Sequence, residues 1–470
     1  MPYWELPRTW LAAALTLALT LLYLFDLGGA GFLGPDEPRY AAIGREMAAS
    51  GDWVTPRLNG SPWFEKPPLL YWTTAIAIRA GLRDEWAARL PVALESLAFL
   101  ALFFELLRRA FSLRVAATAT AILSTSAGWA VASFAAVTDL PMSAALAAAM
   151  LLVAFGRDAR GWLAGALLGL AILAKGFVPV VLFAPWFFAA RGRRRAIVIA
   201  AVAVAAPWYV LCLSKNGSAF WNDFFWKQHV QRALSAEALQ HGQPFWYYIP
   251  VLLGLLFPWT PVLGLAANRK IYEEPRVRAL GLWLVFALVF FSAVPNKLPL
   301  YVLPLLPALA VVLASALDQA RAQPAWIACC VALLLLAPGL AAGLPDAFLQ
   351  GATKAHWALL PSGLVFLVAA AFVWRLGRRR EWLLAMLAAA VAAGGGIAYL
   401  KAGVLPVLDR HDSVRAFWRA HPEAAQACLD RSVSRTWQYG LEYYAGRALP
   451  SCGAENSPRI AARGRALVVE

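Results

Sequence analysis

Long uncharged apolar runs recur from one end of the chain to the other, and no other feature constrains its fold as strongly. They fall near residues 9–27, 86–107, 115–133, 137–156, 161–174, 176–190, 196–214, 244–266, 279–294, 298–317, 324–343, 357–374 and 382–402. A bilayer-spanning helix needs about 20 mostly apolar residues, and it satisfies its own backbone hydrogen bonds in hydrocarbon. The pattern predicts an all-α polytopic membrane protein with about 13 transmembrane helices. Of the 470 residues, 61% are hydrophobic and 15% charged, against roughly 45–50% and 25% in soluble domains. The first run, with Glu5 and Arg8 ahead of it, reads as a retained helix rather than a cleaved signal.

The formal net charge of +15 would suit nucleic acid only if the basic residues formed a patch. Instead they punctuate the apolar runs: Arg108, Arg109 and Arg114; Arg157 and Arg160; Arg191 and Arg193–Arg195; Arg269, Lys270, Arg276 and Arg278; Arg321; Arg375 and Arg378–Arg380. Basic connections of this kind face the cytoplasm. With the N-terminus cytoplasmic, every cluster falls on that side and the C-terminus falls outside. The partner implied by the charge is the lipid bilayer, with no nucleic acid. Gly161–Ala190 is long for one span and short for two, yet basic on both flanks, which predicts two short helices meeting at Lys175 and Gly176.

Three external segments are long: 28–85, 215–243 and 403–470. The first carries amphipathic pieces, Tyr40, Ile43 and Met47 on one face and then Leu69–Leu82, expected to lie in the interface plane. Residues 1–402 read as the membrane domain, with 28–85 and 215–243 as a roof over its outer face. Residues 403–470, charged every few positions, read as a small periplasmic α/β domain. Cys212, Cys329 and Cys330 lie in apolar runs and read as core residues. Cys428 and Cys452 share the exported tail, where an oxidising compartment permits a disulfide. No metal-ligand spacing and no internal repeat is present.

Sorting the remaining charges by side leaves a second population at the outer face. It comprises the stretch from Asp36 to Lys66, then Asp139, Lys175, Lys215, Asp223, Lys227, His229, Arg232, His241 and Lys297. Ionisable groups at membrane depth face a cavity or a partner, so their default reading is functional. In "GPDEPRY", helix capping by Asp36 or Glu37 and catalysis by Asp36 stand level. Asp139, between two apolar helices beside Thr138, favours function. Glu65 and Lys66 precede a Pro-Pro helix start, where an anion could sit beside the Lys; a plain surface pair is the alternative. Lys297 begins an external helix with Tyr301 one turn on, and taken alone it reads as a snorkelling Lys. Taken together, cations that hold phosphate and carboxylates that position or deprotonate a nucleophile suit transfer from a lipid phosphate carrier.

With these residues laid out, the chain resembles the polytopic GT-C glycosyltransferases, and among them the lipid A aminoarabinose transferases and their protein O-mannosyltransferase relatives. The matching pieces are "GPDEPRYAAIGREMAASGDWVTPRLNG", "FEKPPLLYW", "RLPVALESL", "TDLPM", "AKG", "FFWKQHVQRAL", "HGQPFWYYIPVLLGLLFPW" and "FFSAVPNKLPLYVLPLLPALA". The resemblance implies a GT-C fold and inverting transfer of a sugar, such as aminoarabinose or another amino sugar, from undecaprenyl phosphate. The acceptor it implies is lipid A or another envelope glycan or protein, at the periplasmic face of a bacterial inner membrane. It implies Asp36 and Asp139 as catalytic, and Glu37, Tyr40, Glu65, Lys66, Lys175, His229, Arg232, Lys297 and Tyr301 as substrate-binding. Lys66 would hold the carrier phosphate. No cofactor is implied, and a divalent metal is left open. A protein O-mannosyltransferase-like or other surface-glycan transferase is the alternative within the enzyme class. A polyprenyl-linked sugar flippase is disfavoured, because the charges gather at one face and no repeat shows.

Overall fold

The computed structural model describes residues 17–156, 160–231, 242–319, 331, 343, 364–411, 413–453, 458–464 and 466–470. Its segment from residue 28 to 85 forms where prolines and glycines interrupt the apolar pattern. After a helix at residues 17–24 (α1), Pro35 leads into α2 (Asp36–Ser50), which ends at Gly51. Strands β1 (Arg57–Leu58) and β2 (Ser61–Pro62) pair antiparallel about the Asn59–Gly60 turn. Pro67 and Pro68 then precede α3 (Leu69–Arg79), which packs on α2. Tyr40, Ile43 and Met47 share one face of α2 and are all buried within the protein.

The membrane part follows as α4 (Asp84–Ala110), α5 (Leu113–Thr125), α6 (Ala127–Ser133), α7 (Asp139–Phe155), α8 (Gly161–Lys175), α9 (Val178–Ala189) and α10 (Arg194–Phe220). α8 packs between α7 and α10. Gly165 permits this approach, since a Cβ there would lie 2.3 Å from Ile197 O. α8 and α9 break where the basic flanks predict, at Gly176, whose φ of 84° and ψ of −144° suit glycine alone. At 15 and 12 residues these two helices rise about 22 and 18 Å, short of the roughly 30 Å hydrocarbon core. Among the described residues four helices are long and apolar enough to cross a membrane, or six if each of two bent pairs forms one span. The apolar run at 324–343 lies almost wholly outside those residues, as do residues 357–363 of the run at 357–374 and Cys329 and Cys330. Cys212 is free and fully buried.

The later helices are α11 (Tyr248–Leu255), α12 (Pro275–Ala293), α13 (Leu305–Gln319), α14 (Leu364–Arg378) and α15 (Trp382–Tyr399). From Leu384 the helical path runs on through Gly403 to His411, taking in α16 (Leu405–His411). Lys401 Nζ donates to the carbonyls of Leu22, Tyr23 and Phe25 at 3.2, 3.1 and 2.8 Å, satisfying the end of α1. Beyond lie α17 (Arg415–Ala420), β3 (Cys428–Leu429), α18 (Arg435–Ala445), β4 (Arg459–Arg463) and β5 (Ala466–Val469). β3 runs parallel to β4 and β4 antiparallel to β5, over a small core that includes Val414, Leu429, Leu441 and Ile460. Cys428 and Cys452 are joined in a disulfide. α18 packs on α2, which brings this unit to the first external segment.

Candidate active site

The start of α2 presents Asp36, Glu37, Arg39 and Tyr40 within five residues. Pro35 is its N-cap, and no side chain caps it. This corrects the capping alternative for Asp36 and Glu37. The Asp36 carboxylate pairs instead with Arg39 Nη2, one turn on, at 2.6 Å, and its side chain is 42% exposed and so open to a ligand. Arg39 Nη2 also reaches Glu65 at 3.0 Å, and Glu65 lies 3.6 Å from Lys66 Nζ. Asp36, Arg39, Glu65 and Lys66 therefore form a row of alternating charge just ahead of α3.

Arg39 is 5% exposed and lies against the rings of Tyr40, Trp63 and Tyr439, its guanidinium carbon 5.2, 5.6 and 5.3 Å from their centroids. Burial opposes its charge, but Glu65, Tyr40 and Asp36 outweigh burial and raise its pKa. Burial, followed by Glu65, also raises the phenols of Tyr40 and Tyr71 well above their ordinary value, so both stay neutral. Among the described residues Arg39 Nε, Trp63 Nε1 and Tyr71 OH are buried without a hydrogen-bond partner. Three unmet donors around one guanidinium suit the oxygens of a ligand.

Glu37 has a different task. Its Oε1 accepts from Arg89 Nε at 2.9 Å and from Ala136 N at 2.7 Å; its Oε2 accepts from Arg89 Nη2 at 2.8 Å and from Leu33 N at 3.0 Å. The remaining Arg89 N–H groups donate to the carbonyls of Leu27, Ala30 and Gly31. This buried pair fastens the start of α2 to α4 and to the connection just before Asp139. Asp139 opens α7 and forms an ion pair with Lys175, the last residue of α8. Lys175 Nζ lies 4.4 Å from the ring centroid of Tyr301. The carboxylate that stands alone in the sequence is thus half of a largely buried pair.

Glu37 and Lys297, expected among the substrate-binding residues, both hold backbone groups in this structure. Glu37 is 4% exposed with both oxygens engaged, and Lys297, 3% exposed, donates to Gln243 O at 3.0 Å beside the Gly242–Asn296 bridge. Both fix backbone. His229 lies on the Trp221–Gln231 π-helical segment; its side chain and all of Arg232 and His241 fall outside the described residues. Arg89, Trp63, Tyr71 and Tyr439 escaped the sequence reading, and Arg39 entered it only as part of the charged stretch from Asp36 to Lys66. Arg89 alone carried a usable signal, as a cation inside an apolar helix. Among the described residues no group of three or more His, Cys, Asp or Glu could hold a metal ion.

Comparison with known proteins places this geometry. A family model described as dolichyl-phosphate-mannose-protein mannosyltransferase matches residues 65–214. The undecaprenyl phosphate-alpha-4-amino-4-deoxy-L-arabinose arabinosyl transferase of Erwinia tasmaniensis is 32% identical over 425 residues, covering 81% of this chain and 76% of that protein. The chain belongs to this arabinosyl transferase family. The crystal structure of ArnT from Cupriavidus metallidurans bound to undecaprenyl phosphate matches with a TM-score of 0.76 at 26% identity, over 96% of this chain and 87% of that one. The Archaeoglobus fulgidus oligosaccharyltransferase, at 15% identity and a TM-score of 0.53 over 95% of this chain and 64% of that one, shares the fold alone. The family relationship makes the chain a multi-pass membrane protein of GT-C fold. The relative from Serratia proteamaculans is 36% identical over 65% of this chain, and the chain spans 58% of that relative's length.

Proposed function

We propose that the chain is an inverting glycosyltransferase that moves an aminoarabinose-like sugar from undecaprenyl phosphate to lipid A or a similar envelope acceptor. In this reading it crosses a bacterial inner membrane about 13 times, with a cytoplasmic N-terminus and the site and C-terminal unit in the periplasm. One observation carries it: the charge row from Asp36 to Lys66 and the Asp139–Lys175 pair are held in fixed relation by Glu37 and Arg89. The relatives' names supply the donor and sugar.

The chemistry follows from the leaving group. The sugar C1–O bond to the carrier phosphate breaks, and its electron pair departs on a phosphate oxygen that is already anionic. Neutralisation by Lys66 and Arg39 therefore matters more than a general acid. A new C1–O bond forms to the acceptor oxygen on the opposite face, through an oxocarbenium-like state that a nearby carboxylate, Asp139, stabilises. A phosphate acceptor arrives without a proton to lose, and Asp36 then orients the sugar's ammonium. A hydroxyl acceptor gives its proton to Asp36.

The test uses the purified full chain with undecaprenyl phosphate-linked aminoarabinose and lipid A, followed by mass analysis. Lipid A gaining one sugar per molecule of carrier released is the expected result. Movement of the donor across a liposome bilayer without product would favour a flippase instead.

A further inference from the structure

We infer that Tyr439, on α18 of the C-terminal unit, is a positioning residue of the same site, acting through Arg39. The inference rests on the proposed transferase reading and extends the site to a part of the chain that reading does not use. Three aromatic rings surround the Arg39 guanidinium. Tyr40 and Trp63 come from the first external segment, and Tyr439 comes from the C-terminal unit, its centroid 5.3 Å from the guanidinium carbon. Tyr439 is itself held, since its hydroxyl accepts from Arg435 Nε and Nη2 at 3.1 and 3.0 Å. The helix that carries it is fixed to the outer face one turn further on. There Arg45 Nη1 donates to Tyr443 O at 2.6 Å, Asn59 Nδ2 to Glu442 Oε2 at 2.8 Å, and Tyr444 OH to Glu85 Oε1 at 2.5 Å.

The geometry gives the ring a consequence for chemistry. Arg39 Nη2 holds Asp36 and Glu65 together, so the direction of its guanidinium plane sets where both carboxylates lie. A flat ring against that plane restricts its rotation and excludes water, and both effects strengthen the two ion pairs. Without the ring, Arg39 can swing and Asp36 loses its fixed partner. The C-terminal unit thereby completes the reaction centre.

The experiment compares the full-length wild-type protein with Tyr439→Phe, Tyr439→Leu and Asn59→Ala. Asn59→Ala loosens the same helix contact without touching Arg39. Transfer kinetics and hydrogen exchange over residues 34–47 are both read. Tyr439→Leu is expected to lower kcat about tenfold with KM for the carrier changed less than about twofold, and to speed exchange at the start of α2 about fivefold. Tyr439→Phe, which keeps the ring, restores both, and Asn59→Ala leaves kcat in place. Wild-type kcat and exchange in Tyr439→Leu would overturn the inference, as would an equal kcat loss in Asn59→Ala, which would mark mere anchoring. Should the wild-type protein transfer no sugar, the functional reading fails, and the exchange comparison still decides for or against Tyr439.

Discussion

A buried carboxylate and guanidinium stabilise a fold only when their hydrogen-bonding positions are met. Glu37 and Arg89 satisfy that condition, with all five Arg89 N–H groups engaged and both Glu37 oxygens accepting twice. Glu37→Gln removes the carboxylate hydrogen-bonded to the buried Arg89 and is expected to cost roughly 3 kcal/mol, read as a fall in thermal midpoint. The double variant Glu37→Gln with Arg89→Leu should lose less than the sum of the singles, and strict additivity would contradict the pairing. At this scale the sequence exposed Asp36, Asp139 and Lys66, because charges in an apolar chain are conspicuous. It hid the division of labour between neighbours. Asp36 and Glu37 look interchangeable in "GPDEPRY", yet one is open to a ligand and the other is locked, because Arg89 and Ala136 arrive from distant positions.

Among elements, the loop after α2 is tied down at Asp52. Asp52 accepts from Val54 N, Thr55 N and Lys215 Nζ, the last at 2.9 Å, which joins the loop to the outer end of α10. Burial works against its charge, but Lys215 and the two backbone donors prevail and hold its pKa below the ordinary carboxylate value. A depressed folded pKa contributes stability above the unfolded value of about 3.9, and the contribution is lost as pH falls through the folded value. Protection against hydrogen exchange over residues 52–60, taken relative to the intrinsic rate at each pH, is therefore expected to fall below about pH 4 in the wild type. In Asp52→Asn the same segment should exchange faster at neutral pH and show no such step; an identical acid step would refute the assignment. The C-terminal unit has a parallel restraint. The Cys428–Cys452 disulfide closes a loop with a sequence separation of 24 that contains α18. Its reduction should loosen α18 by about 3 kcal/mol and lower transfer activity without dissociating the membrane part. Unchanged activity after verified reduction would show that α18 stays seated without it. The break at Gly176 was legible from basic flanks. The docking of α18 on α2 was not, because nothing local in either helix encodes the other.

At the scale of the whole molecule, Glu37 and Arg89 link the two carboxylate centres carried on α2 and α7. The charge pattern set Asp36, Lys66 and Asp139 apart from the basic connections along the sequence. It could not show that Glu37 reaches across to the backbone ahead of Asp139, which makes the two centres one object. The most direct measurement is a kinetic cycle on Asp36→Asn, Asp139→Asn and the double variant, with kcat for sugar transfer as the readout. Each single variant is expected to lose about 10²–10³-fold, and the double about as much as the worse single, as groups acting in one transition state do. Full activity in either single variant, or losses that multiply in the double, would contradict a single shared centre.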